Sequence, residues 1–331
     1  MKRLGIGYYG GMSALDIADC AKYAEKRGFQ SAWMAEGHGG DGFSVLTVCA
    51  LATKKIKLGT SITSIYVRSA PTIAMAAATV DAVSKGRFIL GIGASHKVQV
   101  EPDHGIKFEK PFERMKETGE LFRALLKNGK SSYDGEIFKI KEFDFWFKPF
   151  RPKIPLFFSA VFPKMLEYTG EVADGVILVW VTPQTTKRAI EDLARGAKRA
   201  GRDLSDIEIS CLLPGSISKE PEVAKNASRL QMSFYAKFPR YRRLWSEAGF
   251  EKEADAMKEA ALGGESPETI AGLISEKMVD SLTLSGTAEE FKSKIGPYRK
   301  AGLTLPIVFP SASGSKDAKS SIQYAMKILS E

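Results

Sequence analysis

Cysteine is scarce in this chain. Cys20, Cys49 and Cys211 are the three cysteines among 331 residues, and no CxxC pair occurs. An odd, widely spaced set argues against a disulfide framework or a structural zinc and suits a reducing cytoplasm. Histidine is equally sparse, with His38, His96 and His104 the full set, and no HExxH or His-x-His spacing is present. That argues against a hydrolytic metal site, although His96, Glu101 and His104 are close in sequence. There is no GxSxG elbow and no Walker lysine. The run Gly91-Ile92-Gly93-Ala94-Ser95-His96 places a histidine where the third glycine of a dinucleotide fingerprint belongs. No apolar run reaches the ~18 residues of a membrane span. Residues 1–7 have the basic end of a signal peptide without the apolar stretch that follows one. Repeats and low-complexity tracts are missing as well, so the expectation is a soluble globular protein.

What is present fits that class. The chain is 44% hydrophobic and 26% charged, enough to bury a large core without covalent staples. Lys and Arg outnumber Asp and Glu by 48 to 39, a net charge of +9. The densest basic stretch, 229–245, sets Lys237, Arg240, Arg242 and Arg243 among Phe234, Tyr235, Phe238, Tyr241 and Trp245. Such interleaving suits single-stranded nucleic acid, but no nucleic-acid fold motif accompanies it. We read a helical excursion with one solvated and one packed face. A basic surface for a polyanionic small ligand is the other reading.

The chain alternates. Apolar strands are expected at 3–9, 31–35, 57–63, 87–93, 155–160, 175–181, 206–213 and 303–309. Helices are expected at 13–27, 43–53, 70–84, 111–127, 163–171, 183–200 and 315–330. Ser13 is placed as an N-cap and Gly28 as a helix stop, and Pro71 opens a first turn. Eight strands with intervening helices predict an α/β fold, a (β/α)8 TIM barrel forming one domain over 1–331. Insertions are expected after strand 4, at about 128–152 as a small hairpin or lid, and after strand 7, at about 221–285 as helices.

Barrel chemistry sits where the strands end. His38 and His96 fall at such exits, and His104 lies in the loop after the fourth strand. Gly39, Gly40, Ser61, Gly93, Ala94, Ser159 and Ala160 are small and leave room for a flat ring. Backbone N–H groups at the start of the helix opened by Pro163 suit a phosphate. These are the requirements of a flavin-type cofactor. A barrel acting on sugars or phosphates remains the other reading at this level.

The exits and their flanks resemble a known family. Ala32-Trp33-Met34-Ala35-Glu36-Gly37-His38, Lys57-Leu58-Gly59-Thr60-Ser61-Ile62-Thr63 and Gly86-Arg87-Phe88-Ile89-Leu90-Gly91-Ile92-Gly93 are similar to the luciferase-like flavin and deazaflavin oxidoreductases. So are Gly170-Glu171-Val172-Ala173-Asp174-Gly175 and Gly196-Ala197-Lys198-Arg199-Ala200-Gly201. Within that superfamily the chain resembles the methylenetetrahydromethanopterin reductases that use coenzyme F420. The segment from His96 through Glu101, His104, Pro111 and Arg114 is similar to a deazaflavin-using subgroup.

The resemblance implies an F420-dependent oxidoreductase that moves a hydride between the deazaflavin C5 and a small organic substrate, with a pterin the first candidate. It implies Glu36 and His38 as the catalytic pair beside the ring, and a non-proline cis peptide at Ser61-Ile62 behind it. Ser61, Ile62, Thr63, Gly93, Ser95, His96 and Trp180 would surround the cofactor. Ser159, Ala160, Val161 and Phe162 would hold its phosphate. Tyr8, Glu101 and His104 would meet the substrate. It further implies a homodimer or higher oligomer. Gly7, followed by Tyr8 and Tyr9, stands where the pterin reductases carry an acidic residue, and the second strand ends Glu-Gly-His rather than Asp-His. A related deazaflavin enzyme is therefore the expectation. An FMN-dependent luciferase-like monooxygenase and a non-catalytic flavin- or deazaflavin-binding relative are the alternatives.

Overall fold

The computed structural model describes residues 3–313 and 317–331. Eight parallel strands close into a barrel. They are β1 (Gly5–Tyr8), β2 (Ser31–Met34), β3 (Lys57–Thr60, resuming at Thr63–Ser64), β4 (Phe88–Gly93), β5 (Leu156–Ser159), β6 (Gly175–Val179), β7 (Glu208–Gly215) and β8 (Leu305–Pro310). Each pairs with its sequence neighbours, as in Ile6↔Ala32, Leu58↔Phe88, Leu90↔Leu156 and Leu212↔Ile307. The pairing of Gly5 with Ile307 joins the first strand to the last and leaves no edge. This is the (β/α)8 TIM barrel that the alternation of apolar runs predicts.

The barrel interior is filled by Trp33, Ile89, Phe157, Ile177, Leu305 and Ile307. Trp33 and Phe157 pack with tilted rings 5.7 Å apart, and Trp33 Nε1 donates to Ser31 Oγ at 2.8 Å, so the buried indole N–H is satisfied. Gly59 makes room for that indole, since a Cβ there would lie 2.4 Å from Trp33 Cε3. Outward-facing strand residues pack under the helices in a larger core.

The helices begin and end on the expected signals. Ser13 accepts from the backbone N–H of Asp16 and starts Ala14–Lys26, and Gly28 follows at φ +80°. Ser69 caps Ala70–Val83, with Pro71 in the first turn. The final helix is Ala318–Ser330; its expected start at Ser315 lies outside the described residues.

Between β4 and β5 the chain adds a helix not anticipated from sequence, Lys97–His104. Pro111–Asn128 follows, and then an antiparallel hairpin, Lys130–Asp134 with Lys139–Asp144. Glu117 holds that hairpin: its buried carboxylate accepts from the backbone N–H of Glu136, Ile137 and Phe138 at 2.6–3.1 Å. Between β7 and β8 come Pro221–Phe234, Pro239–Glu247, Glu251–Leu262, Pro267–Gly272 and Glu276–Leu282. These helices build a second apolar core around Met232, Trp245, Phe250, Met257 and Met278. Trp180, at the exit of β6, is part of that core, so the helices after β7 sit over the mouth of the barrel.

No helix among the described residues is long and apolar enough to cross a membrane. All three cysteines are buried free thiols, and burial pushes Cys20 and Cys49 up to about 12.

Candidate active site

A cavity of about 1030 Å³ opens at the C-terminal ends of the strands. Of the residues singled out from sequence, Glu36, His38, Ser61, Ile62, Gly93, Ser95, His96, Ser159, Ala160, Val161, Phe162 and Trp180 line it. Tyr8, Thr63, Glu101 and His104 do not.

The reasons are local. Side chains alternate along a strand, so β1 turns Gly5, Gly7 and Tyr9 inward and Tyr8 outward. Tyr8 is fully buried beside Cys20 and Cys49, and desolvation pushes its phenol up. Tyr9 takes the cavity position, stacks on Phe309 at 4.9 Å and donates to the Pro310 carbonyl at 3.1 Å. Thr63 is buried and donates its hydroxyl proton to Glu36 Oε2. Glu101 accepts from the backbone N–H of Phe108 at 3.1 Å, and His104 ends its helix on the exposed side. The substrate-contact reading of Tyr8, Glu101 and His104 therefore does not match their placement.

Glu36 is the carboxylate of the cavity lining, and it is committed. Arg68 Nη2 lies 2.8 Å from Oε1, Thr63 donates to Oε2, and the N–H of Gly42 approaches at 3.3 Å. His38 is different. Its side chain is 74% exposed, with Nε2 3.3 Å from Asp103 in the helix Lys97–His104. The pair joins the loop after β2 to the segment after β4.

β3 breaks at a cis Ser61-Ile62 peptide, where the resemblance places it. Ile62 then enters the space that Gly93 leaves open, since a Cβ at Gly93 would lie 2.8 Å from Ile62 Cγ1. Ser95 and Trp180, non-glycine residues at two other exits, take left-handed backbone angles of φ +55° and +53°. Such conformations cost of order 1–3 kcal/mol and cluster at functional sites.

Several buried polar atoms on lining residues have no partner: Ser61 Oγ, His96 Nδ1 and Gln231 Oε1. Buried polar groups are nearly always satisfied by protein, ordered water or ligand, so these three atoms have capacity left for such a partner at the cavity wall. His96 packs edge-on against Phe238 at 4.9 Å and against Tyr241 at 4.5 Å. Desolvation, assisted by the nearby Arg240 cation, lowers its pKa to about 4, which keeps the imidazole neutral near pH 7.

The helices after β7 supply a share of the cavity not anticipated from sequence. Gln231, Tyr235, Phe238, Arg240, Tyr241 and Arg243 all line it. The basic, aromatic stretch 229–245 was the available signal. Its aromatics are not splayed for bases. Phe238 and Trp245 are fully buried, and Tyr235 and Tyr241 meet Trp180 edge-on at 5.5 and 6.3 Å. Arg243 lies over the Phe162 ring at 4.1 Å, and Lys164 over Phe112 at 4.0 Å. Both cations thus flank the start of the helix Pro163–Val172, whose N-cap residue Phe162 makes no side-chain capping bond.

Comparison with known proteins agrees with this geometry. The luciferase-like monooxygenase family model matches residues 2–305. A 5,10-methylenetetrahydromethanopterin reductase of Archaeoglobus fulgidus is 32% identical over 325 residues, 97% of this chain and 96% of that one. The reductase of Methanolobus tindarius is also 32% identical, over 91% of each chain. Among solved structures, the coenzyme F420-dependent tetrahydromethanopterin reductase of Methanopyrus kandleri superposes with a TM-score of 0.85 at 27% identity, covering 100% of this chain and 97% of that one. An F420-dependent secondary alcohol dehydrogenase shares the fold, with a TM-score of 0.79 at 22% identity. With its barrel closed, its cavity at the strand exits and its sequence matched nearly end to end, the chain belongs to the luciferase-like monooxygenase family.

Proposed function

We propose that this protein is an F420-dependent oxidoreductase that exchanges a hydride with a small organic substrate, and that its substrate is a reduced pterin. The observation that carries the reading is the set of unpartnered buried atoms, Ser61 Oγ, His96 Nδ1 and Gln231 Oε1, around one cavity at the barrel mouth. Relatives at 32% identity over nearly the whole chain support the choice of cofactor and of pterin chemistry.

The residues fit such a group. Ile62 and Gly93 form an apolar floor at the exits of β3 and β4, against which a flat ring would pack. Ser159, Ala160, Val161 and Phe162 lead into an uncapped helix start with Lys164 and Arg243 beside it, a setting suited to a phosphate. When bound, F420 supplies the two-electron chemistry, giving or taking a hydride at its C5 carbon.

The chain's own residues orient, desolvate and hold protons. Neutral His96 offers a hydrogen bond without placing a charge in the apolar part of the cavity. Glu36, fixed by Arg68 and Thr63, keeps the loop after β2 in place. His38 stands exposed at the rim, with Asp103 as its partner. The helices after β7 sit over part of the mouth and shield the polar contacts beneath them from bulk water.

The test is a fluorescence titration of the purified protein with F420 and, separately, with FMN, followed by single-turnover oxidation of reduced F420, the hydride donor, by methylenetetrahydromethanopterin, the hydride acceptor. F420 binding with hydride transfer is the expected result. FMN binding alone would assign the protein to the flavin monooxygenases, and F420 binding with no turnover on any hydride donor or acceptor would make it a carrier.

A further inference from the structure

Among the described residues, three Lys or Arg side chains line the cavity: Lys164, Arg240 and Arg243. Two have acidic partners, Lys164 with Glu113 at 3.9 Å and Arg243 with Glu247 at 2.7 Å. Arg240 has none. Among the described residues it makes no hydrogen bond or ion pair. It is half-buried, and desolvation lowers its pKa. Glu36, the one lining carboxylate among the described residues, is already held by Arg68.

Arg240 is nevertheless positioned. Its guanidinium lies over the Phe108 ring at 5.3 Å, and Phe108 stacks on Tyr66 at 4.7 Å. Arg114 covers Tyr66 at 4.7 Å, and the Tyr66 hydroxyl donates to the Glu109 carbonyl at 2.6 Å. Glu101 fixes the backbone of Phe108. A guanidinium held over a ring loses less freedom when it binds, and its forked N–H groups match a carboxylate or phosphate. Its neighbours also separate it from the helix start at Phe162. Arg243 and Lys164 attend that helix, whereas Arg240 stands beside His96 and Phe108 on the β4 side.

We propose that Arg240 is the receptor for an oxyanion, a carboxylate or phosphate, carried by the pterin substrate, and that it selects acid-bearing pterins over neutral ones. The proposal rests on the oxidoreductase reading above and adds to it the charge of the substrate. Glu101 is then a positioning residue that acts through Phe108.

The test is calorimetric titration of wild type, Arg240→Lys and Arg240→Met with tetrahydrofolate, which carries a glutamate, and tetrahydrobiopterin, which carries no acid. F420 affinity is measured on the same preparations. Wild type should bind the acid-bearing pterin at least ten-fold more tightly than the neutral one. Arg240→Met should abolish the preference and Arg240→Lys keep part of it, with F420 affinity unchanged in both, which also shows that the variants are folded. An equal preference in wild type and Arg240→Met overturns the proposal, as does wild type that ignores both pterins. A loss of F420 affinity in Arg240→Met also overturns it and assigns the cation to the cofactor's acidic tail. Failure of wild type to bind F420 would count against the oxidoreductase reading alone, because the pterin titrations are read without the cofactor.

Discussion

Arg68 Nη2 lies 2.8 Å from Glu36 Oε1 where the second and third strands open, with side chains only 19% and 10% exposed. Arg68 also pairs with Asp41, the N-cap of the helix Gly42–Ala52. A carboxylate read from sequence as an acid–base group is thus also the centre of a small network that shapes the mouth. The two roles separate experimentally. Glu36→Gln removes the charge opposite Arg68 and keeps the shape, at an expected cost of about 2 kcal/mol, because a partly buried cation then retains Asp41 alone. Urea denaturation reads that loss. Adding Arg68→Met to Glu36→Gln should recover part of it, since the orphaned charge is gone. If the double variant regains stability and also normal single-turnover rates, Glu36 acts through the network and not on the reacting atoms.

His38 carries the complementary expectation. Its pair with Asp103 joins side chains 74% and 30% exposed, a setting in which ion pairs contribute about 0–1 kcal/mol. His38→Ala should leave the urea midpoint nearly unchanged while slowing hydride transfer to or from F420 at least ten-fold in stopped-flow absorbance. Asp103→Asn, which leaves the imidazole in place, should slow it less. A wild-type rate in His38→Ala would reduce the histidine to a latch between two loops.

The barrel was legible because parallel strands buried on both faces read as short apolar runs, and because Ser13, Gly28, Ser69 and Pro71 punctuate the helices with side-chain chemistry that acts locally. The exits were legible for the same reason. What escaped is non-local. Tyr8 and Tyr9 are adjacent and chemically alike, and only the register of β1 against β2 and β8 decides which faces the cavity. Glu117 reads as one more acid on an amphipathic helix, yet it is buried against three N–H groups of a hairpin nearly 20 residues on. Arg240 and Tyr241 announce themselves as basic and aromatic, but their place over the mouth depends on how the helices after β7 fold back onto Trp180. The reading of 229–245 as a helical excursion captured the local structure and missed its position.

His96 gives a pH dependence whose sign follows from its surroundings. Desolvation in the cavity, with Arg240 as a second cause, holds its folded-state pKa at about 4, below the 6.5 of a free imidazole. The unfolded chain therefore takes up a proton before the folded one does. The stabilisation is complete above pH 6.5 or so and is lost progressively as pH falls toward 4, by up to about 1.4 kcal/mol per pH unit. Carboxylates contribute to acid unfolding in the lower part of this window, so the informative quantity is a difference. His96→Gln keeps a neutral polar side chain and has no proton to gain. Urea midpoints of the two proteins should run parallel from pH 8 to 7 and converge or cross between pH 6.5 and 4.5, as wild type loses stability that the variant does not. Parallel curves throughout would mean that water reaches the imidazole freely, which would remove the basis for treating His96 as a neutral hydrogen-bonding wall of the cavity.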